Sequence, residues 1–120
     1  MSRIDLEEEK REKIMFGFGY KTTKYQNIGA EEFRDLMNDK NAVVLDVRTP
    51  AETQDGVIPG YKMINLMSPD FMDEIKKLDK DKIYLVYCRS GNRSGQACNI
   101  MADQGFTKLY NLVGGIGAWR

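Results

Sequence analysis

The sequence contains no histidine, and this absence removes several common kinds of catalytic site at once. A cysteine–histidine pair, a histidine metal ligand and a histidine general base are all excluded. Cysteine is also scarce, because only Cys88 and Cys98 are present. Two such residues supply neither a disulfide framework nor the paired C-x-x-C spacing that is typical of zinc sites. If either cysteine is reactive, a group other than an imidazole must favour its thiolate.

The chain also lacks an excess of charge of either sign. Lys+Arg and Asp+Glu both number 18 among 120 residues, which gives a formal net charge of zero. No nucleic-acid partner is therefore predicted, and any attraction for an anion must be local. With 42% hydrophobic and 30% charged residues, the composition suits one globular domain that buries its own core.

Long apolar segments are absent as well. No stretch reaches the roughly eighteen consecutive apolar residues that indicate a membrane span. The first residues, MSRIDLEEEKREK, carry too many charges for a signal peptide. We therefore predict no membrane partner and a reducing, cytoplasmic location.

The N-terminal residues differ in composition from the rest of the chain. We interpret 1–25 as a charged extension and 26–120 as the domain. In the extension, Glu7 and Arg11 have the spacing of a helical ion pair. The prediction is a solvated helix followed by a segment lying over the domain, with a docking arm for a partner as the alternative.

Strand and helix patterns alternate through the domain. Compact apolar runs predict strands, and apolar residues at helical spacing predict helices. The predicted strands are 41–47, 61–66, 83–87 and 108–115, and the predicted helices are 30–37, 68–78 and 94–105. This alternation indicates an α/β domain with a mostly parallel sheet covered by helices on both faces. Ligands of such sheets bind beyond the carboxyl ends of the strands.

The strongest predicted strand, IYLVY, ends immediately before Cys88 in the sequence CRSGNRS. Gly91 permits a tight turn in which successive amides point inward, and the next helix directs its positive end to the same place. Arg89 and Arg93 add two cations. Thiols at helix N-termini beside cations have pKa values of about 3.5–7.5, against about 8.5 for a free cysteine. We therefore predict that Cys88 is largely a thiolate at neutral pH.

The two cysteines differ in their surroundings. A buried packing role is the alternative for Cys88, although two arginines and two glycines within the next seven positions would be unusual around an inert cysteine. Cys98 lies among apolar residues in the middle of a predicted helix. We interpret Cys98 as a packing residue rather than a resolving thiol.

Four motifs together resemble those of the rhodanese family of sulfurtransferases. CRSGNRS at 88–94 is similar to the family's active-site pattern C-R-x-G-x-R-[ST]. LDVRTPAE at 45–52 resembles its L-D-V-R-x-x-x-E, and GVIPGYKMINL at 56–66 resembles its G-H-I-P-G-A-x-N-I. LVGGIGAW at 112–119 is similar to the closing G-G-x-x-A-W. Only the N-terminal extension remains unmatched.

The resemblance implies a single rhodanese-like domain with a five-stranded, mostly parallel sheet and a loop that holds a persulfide. Cys88 would be the nucleophile and sulfur carrier, and the other loop residues would bind the substrate. Among these, Arg89 and Arg93 would hold an anionic donor, while Ser90, Gly91, Asn92 and Ser94 would line the site mainly through main-chain amides. No metal and no organic cofactor is implied.

A supporting shell is implied next to the loop. Asp46 and Arg48 match the family's D-V-R, and Glu52 matches the glutamate that follows. We predict an ion pair between Arg48 and Glu52. All three residues are expected to shape the site without taking part in the chemistry.

The implied activity is that of a thiosulfate sulfurtransferase. A persulfide on Cys88 would move a sulfane sulfur from thiosulfate or a persulfide donor to cyanide, a thiol or a protein acceptor, and a protein could equally be the donor. A cysteine phosphatase or arsenate reductase is one alternative, although phosphatases have C-x5-R and this loop has C-x4-R. A non-catalytic binding or regulatory module of the same family is the other. The sequence makes no prediction of the oligomeric state.

Overall fold

The structure is a computed structural model that describes residues 24–119, so the predicted N-terminal helix and docking arm lie outside the described residues. Within this range the strands are β1 (Gln26–Ile28), β2 (Ala42–Asp46), β3 (Tyr61–Met63), β4 (Ile83–Tyr87) and β5 (Leu109–Leu112). The helices are α1 (Ala30–Leu36), α2 (Pro50–Thr53), α3 (Phe71–Lys76), α4 (Asn92–Asp103) and α5 (Gly115–Trp119). None of these helices has the length and apolar character that crossing a bilayer requires.

The five strands form one sheet in the order β1-β5-β4-β2-β3, and every neighbouring pair is parallel. The α/β prediction is confirmed, and the sheet is parallel throughout rather than mostly parallel. From β2 the chain continues to β3 at one side of the sheet, whereas from β4 it continues to β5 at the other. Adjacent strands whose connections diverge in this way leave a crevice at their carboxyl ends, and ligands bind there.

Strand β4 lies at the centre of the sheet and is buried on both faces. Tyr84, Val86 and Cys88 pack in the core on the side of α3 and α4, whereas Leu85 and Tyr87 pack with residues of α1 and α5. Burial on both faces explains the continuous apolar run of this strand. Because side chains alternate along a strand, Cys88 points towards the face on which α4 packs.

Two predicted helix starts are wrong. Helix α3 begins at Phe71 rather than Ser68, because Ser68 forms a separate turn. The Ser68 hydroxyl accepts a hydrogen bond from the Asp70 N–H at 3.1 Å, and the Ser68 carbonyl accepts one from the Phe71 N–H at 3.1 Å. Local hydrogen bonds of this kind give a serine an alternative to the helical conformation. Helix α4 begins at Asn92, two positions before the predicted 94.

Three short elements were not predicted. They are β1, α2 and α5, each of five residues or fewer. Their apolar patterns are too short to show a period. Two predicted strands also end earlier, with β3 stopping at Met63 and β5 at Leu112. After β5, Gly114 and Gly115 adopt positive φ angles of 80° and 62°, which turn the chain into α5.

Candidate active site

Cys88 directly follows β4 and is fully buried. Its carbonyl accepts a hydrogen bond from the Ile116 N–H at 2.9 Å. The preceding Gly115 has a φ of 62°, and a side chain there would collide with the carbonyl group of Arg89. The start of α5 therefore braces the backbone at the point where the chain leaves β4.

Gly91 gives the loop its shape. It caps the N-terminus of α4 with a left-handed φ of 104°, and a Cβ at this position would lie 3.1 Å from the Leu112 carbonyl oxygen. The turn aims three donors at the Cys88 sulfur: the Gly91 N–H at 3.1 Å, the Ser94 N–H at 3.4 Å and the Ser94 hydroxyl at 3.3 Å. The amides of this loop thus point inward, as the sequence predicts.

These donors decide how Cys88 ionises. Burial raises the pKa of the thiol, but hydrogen bonds more than offset that effect. The Ser94 hydroxyl lowers the pKa most, followed by the backbone N–H groups of Ser94, Gly91 and Ser90, so that the pKa falls below the usual value for cysteine. Hydrogen bonds donated to an anion favour the charged form and therefore lower the pKa of the group. The loop can hold a sulfur anion without a base.

Glu52 and Arg93 form a bidentate ion pair, with both N–O distances at 2.8 Å. The Arg93 guanidinium lowers the pKa of Glu52 to about 2; burial opposes this effect, and hydrogen bonds from Thr49 add to it. The predicted ion pair between Arg48 and Glu52 is therefore wrong. Arg48 donates instead to the backbone carbonyl of Glu52, at 3.3 Å.

Arg48 forms its ion pair with Asp46, two residues earlier. Its Nη2 and Nε atoms lie 2.7 Å and 3.0 Å from the two carboxylate oxygens. The Tyr87 hydroxyl donates to the same carboxylate at 2.7 Å and accepts from the Ile58 N–H at 3.1 Å. Asp46 raises the pKa of Arg48, and burial raises the pKa of Tyr87. This buried network joins the carboxyl ends of β2 and β4 and compensates the charge of Arg48.

Arg89 is exposed and forms no ion pair within residues 24–119. It lines a cavity of about 320 Å³ together with Arg48, Glu52, Asp55, Ile116 and Gly117. Because Arg48 and Arg93 are each paired with a carboxylate, Arg89 is the arginine of the predicted site whose charge stays available to an anion.

The exposed side of the loop lines a second cavity. Ser90 and Asn92 border this cavity of about 480 Å³, together with Asn27, Gly91, Asn111, Val113 and Gly114. Asn92 is the first residue of α4 and has an exposed side chain. The side chains of Ser90 and Asn92 are therefore on the solvent side of the loop, and those of Ser94 and Cys88 are on its buried side.

Cys98 is a second buried free thiol, on α4. It packs in the same core cluster as Cys88, and burial raises the pKa of its thiol. Its environment is that of a packing residue. Across the described part of the chain, no three histidine, cysteine, aspartate or glutamate side chains converge in a way that could hold a metal ion.

Comparison with known proteins identifies the family to which this sequence is similar. The sequence matches the family model of the rhodanese-like domain over residues 29–120. The chain belongs to the rhodanese family. The match spans all four motifs on which the resemblance was based, from the D-V-R segment to the closing G-G-x-x-A-W.

Several relatives of this chain are named sulfurtransferases. A sulfurtransferase from Allochromatium vinosum is 41% identical over 85 residues, covering 70% of this chain and 77% of the relative. A thiosulfate sulfurtransferase from Pseudomonas syringae is 33% identical, with 82% and 90% covered. A rhodanese-related protein from Thermoplasma volcanium has a TM-score of 0.70 at 33% identity, with 79% and 90% covered. These relatives support a transferase of the rhodanese family.

Asn111 is a buried polar residue of this rhodanese-like site that the sequence analysis missed. It lies on β5, is 5% exposed, and pairs in register with Val86 of the strand that leads to Cys88. Its side chain contacts the Ser94 hydroxyl, the Gly91 carbonyl and the Asn27 side chain. A polar residue inside the otherwise apolar strand LYNL is the signal that could have revealed it.

Proposed function

We propose that this protein is a sulfurtransferase that carries a sulfane sulfur as a persulfide on Cys88. The observation that carries the proposal is the set of donors around one sulfur atom: the Gly91 and Ser94 amides and the Ser94 hydroxyl, at 3.1–3.4 Å. The turn fixes the two amides, and fixed donors stabilise a developing anion without reorganisation. They suit a sulfur that must be an anion at the start and at the end of each transfer.

The reaction proceeds in two half-reactions. With thiosulfate as donor, the Cys88 thiolate attacks the outer sulfur, the sulfur–sulfur bond of thiosulfate breaks, and sulfite leaves with the bonding electron pair. The enzyme then holds Cys88–S–S⁻. A nucleophilic acceptor such as cyanide, a thiol or a protein thiolate attacks the terminal sulfur, and Cys88 leaves as a thiolate. A persulfide donor reacts in the same way, with a thiolate as the leaving group.

Arg89 is the side chain that we propose for the anionic end of the donor. It is exposed, lines the cavity of about 320 Å³ and has no ion-pair partner among the described residues. Arg93, which the sequence assigned to the same task, is already held by Glu52. The donor therefore meets one uncompensated cation rather than two.

The phosphatase alternative is less well supported. Cysteine phosphatases need an arginine that follows the loop and binds the phosphate. Here Arg93 follows Cys88 as C-x4-R, and both of its terminal nitrogens donate to Glu52. Hydrolysis of an aryl phosphate that disappears in Cys88→Ser would revive this alternative.

The non-catalytic alternative can be tested by truncation. Removal of residues 1–23 retains every residue that the structure describes. We expect sulfur transfer to survive this truncation. If neither the full-length nor the truncated protein shows turnover, and only the truncated protein fails to bind a partner, the result would instead support a binding module. A reducing compartment such as the cytoplasm remains our prediction, because the proposed chemistry needs a free thiol.

Intact-mass spectrometry after incubation with thiosulfate tests the proposal directly. The wild-type protein is expected to gain one sulfur atom, and cyanide should remove it with release of thiocyanate. Cys88→Ser should gain none, whereas Cys98→Ala, the matched control at the other free thiol, should gain one. A gain that persists in Cys88→Ser would refute the assignment of the carrier.

A further inference from the structure

The Ser94 hydroxyl lies between two acceptors. The Cys88 sulfur is 3.3 Å from Ser94 Oγ, and Asn111 Oδ1 forms a short hydrogen bond with the same oxygen. Ser94 is fully buried, and a hydroxyl has one proton to donate. When the hydroxyl donates its proton to one of these acceptors, the other acceptor has no hydrogen bond from the Ser94 hydroxyl.

The orientation of the Asn111 amide is fixed by its other contacts. Its Nδ2 atom lies 3.1 Å from the Gly91 carbonyl oxygen and 2.9 Å from Asn27 Oδ1. A backbone carbonyl can only accept, so the Asn111 NH₂ group must face Gly91. The Asn111 oxygen is consequently directed at Ser94, where it needs a donor because it is nearly buried.

We propose that Asn111 is a positioning residue that competes with Cys88 for the single proton of the Ser94 hydroxyl. While Cys88 is a thiol, its S–H can donate to Ser94 Oγ, and the hydroxyl donates onward to Asn111. When the thiol proton leaves to solvent, the hydroxyl rotates to the sulfur anion and the Asn111 oxygen loses its donor. An unsatisfied buried acceptor is costly, so Asn111 holds back ionisation.

This competition matters because the Ser94 hydroxyl lowers the pKa of Cys88 more than any other donor does. The Gly91 and Ser94 amides cannot be withdrawn, since the turn fixes them. The Ser94 hydroxyl is thus the one of these three donors whose direction can change. The inference rests on the proposed role of Cys88, but it concerns ionisation, which can be measured without any sulfur transfer.

The experiment is a pH titration of the Cys88 thiol, followed by NMR of protein labelled with ¹³C at cysteine Cβ. The Cys88 signal is assigned by its loss in Cys88→Ser. We expect Asn111→Ala to lower the pKa of Cys88 by about 1, because the Ser94 hydroxyl can then donate only to the Cys88 sulfur. Asn99→Ala, at an exposed position on α4, is the matched control and should leave the pKa within about 0.2 of wild type. Ser94→Ala should raise the pKa.

The double variant separates this role from a structural one. In the Ser94→Ala background, Asn111→Ala should leave the pKa unchanged, because no proton remains to compete for. The same shift with and without the hydroxyl, or a rise in the Asn111→Ala single variant, would overturn the proposal. If Asn111→Ala does not fold, Asn111→Leu keeps the shape without an acceptor and is expected to give the same results. Failure of this titration would leave the mass-spectrometric result intact, so the two proposals fail separately.

Discussion

Glu52 on α2 holds Arg93 in the first turn of α4 through two parallel contacts of 2.8 Å. The two residues are 41 positions apart in the sequence and come from two different motifs. A bidentate contact of this kind fixes geometry as well as charge. The pair therefore ties the start of α4 to α2 and removes one of the two cations that would otherwise attract a donor.

The first prediction compares the paired and the unpaired arginine. Arg89→Ala should raise the KM for thiosulfate about tenfold, which corresponds to loss of roughly 1.4 kcal/mol of binding. The double variant Glu52→Gln/Arg93→Ala removes one charge of each sign, and its KM should stay within about threefold of wild type. The measurement is the initial rate of thiocyanate formation over a range of thiosulfate concentrations.

The charge of the donor provides the control for this comparison. With a simple alkyl persulfide, which carries one negative charge where thiosulfate carries two, Arg89→Ala should lose less activity than it does with thiosulfate, because the Arg89 cation then has no sulfonate end to bind. A double variant impaired as severely as Arg89→Ala would return Arg93 to a role in donor binding.

The second prediction concerns acid. Arg93 lowers the folded-state pKa of Glu52 to about 2, from an ordinary value of 4.5. A lowered pKa contributes stability that is fully present above pH 4.5 and is lost as the pH falls towards about 2. The advantage of wild type over Glu52→Gln in free energy of unfolding should therefore shrink by about 1 kcal/mol between pH 6 and pH 3, after allowance for partial exposure.

Urea denaturation at the two pH values measures this change. Glu31→Gln, at an exposed position of α1, is the charge-matched control. An advantage over Glu52→Gln that is the same at both pH values would mean that the ion pair does not contribute to stability.

The third prediction addresses the turn at Gly91. Alanine at this position would have to adopt a φ of 104° with its Cβ 3.1 Å from the Leu112 carbonyl oxygen. Such strain costs about 1–3 kcal/mol, so the loop should relax and withdraw the Gly91 N–H from the sulfur. We expect sulfur loading to slow at least tenfold, on the order of 1.4 kcal/mol in the barrier. Gly29→Ala is the control, because Gly29 has a negative φ and open space around an added Cβ.

A stopped-flow or quenched time course of persulfide formation, read by mass, gives the loading rate. Normal loading in Gly91→Ala would show that the Gly91 amide is dispensable for holding the sulfur anion.

The fourth prediction separates the buried network from the chemistry. Tyr87→Phe removes the hydroxyl that accepts from the Ile58 N–H and donates to Asp46. A buried donor left unsatisfied costs about 1–3 kcal/mol, and the free energy of unfolding should fall by that amount. Sulfur loading at saturating thiosulfate should remain within about twofold of wild type.

Tyr84→Phe is the matched control on the same strand. The Tyr84 hydroxyl donates to the Asp79 carbonyl at 2.6 Å in a partly buried position, and its loss should cost less, about 1 kcal/mol. Equal denaturation curves for wild type and Tyr87→Phe would contradict a stabilising role for the network.

Patterns that depend on the neighbours of a residue along the chain were readable from the sequence. Strand β4 begins and ends where predicted, at 83 and 87, because burial on both faces leaves an uninterrupted apolar run. The tight turn at Gly91 followed from the short distance between a strand and a helix. Four motifs in a fixed order then indicated the family and the parallel sheet.

Pairings between side chains were not readable in the same way. Arg48 and Glu52 belong to the same motif, and we predicted an ion pair between them. In the structure Glu52 also closes a capping box with Thr49, and its carboxylate faces α4 rather than Arg48. Asn111 was missed for a related reason, since its contacts come from β1 and from the loop after β4. Such contacts depend on the direction of side chains in three dimensions.

The hydrogen bond from the Ile116 N–H to the Cys88 carbonyl joins two residues that are made at different times during synthesis. The ribosome makes Cys88 before it makes the residues whose backbone supports the Cys88 carbonyl. A nascent chain that has emerged only as far as α4 therefore lacks the hydrogen bond that holds the Cys88 carbonyl where the chain leaves β4. The backbone of the loop gains this support only when Ile116 of α5 has been made.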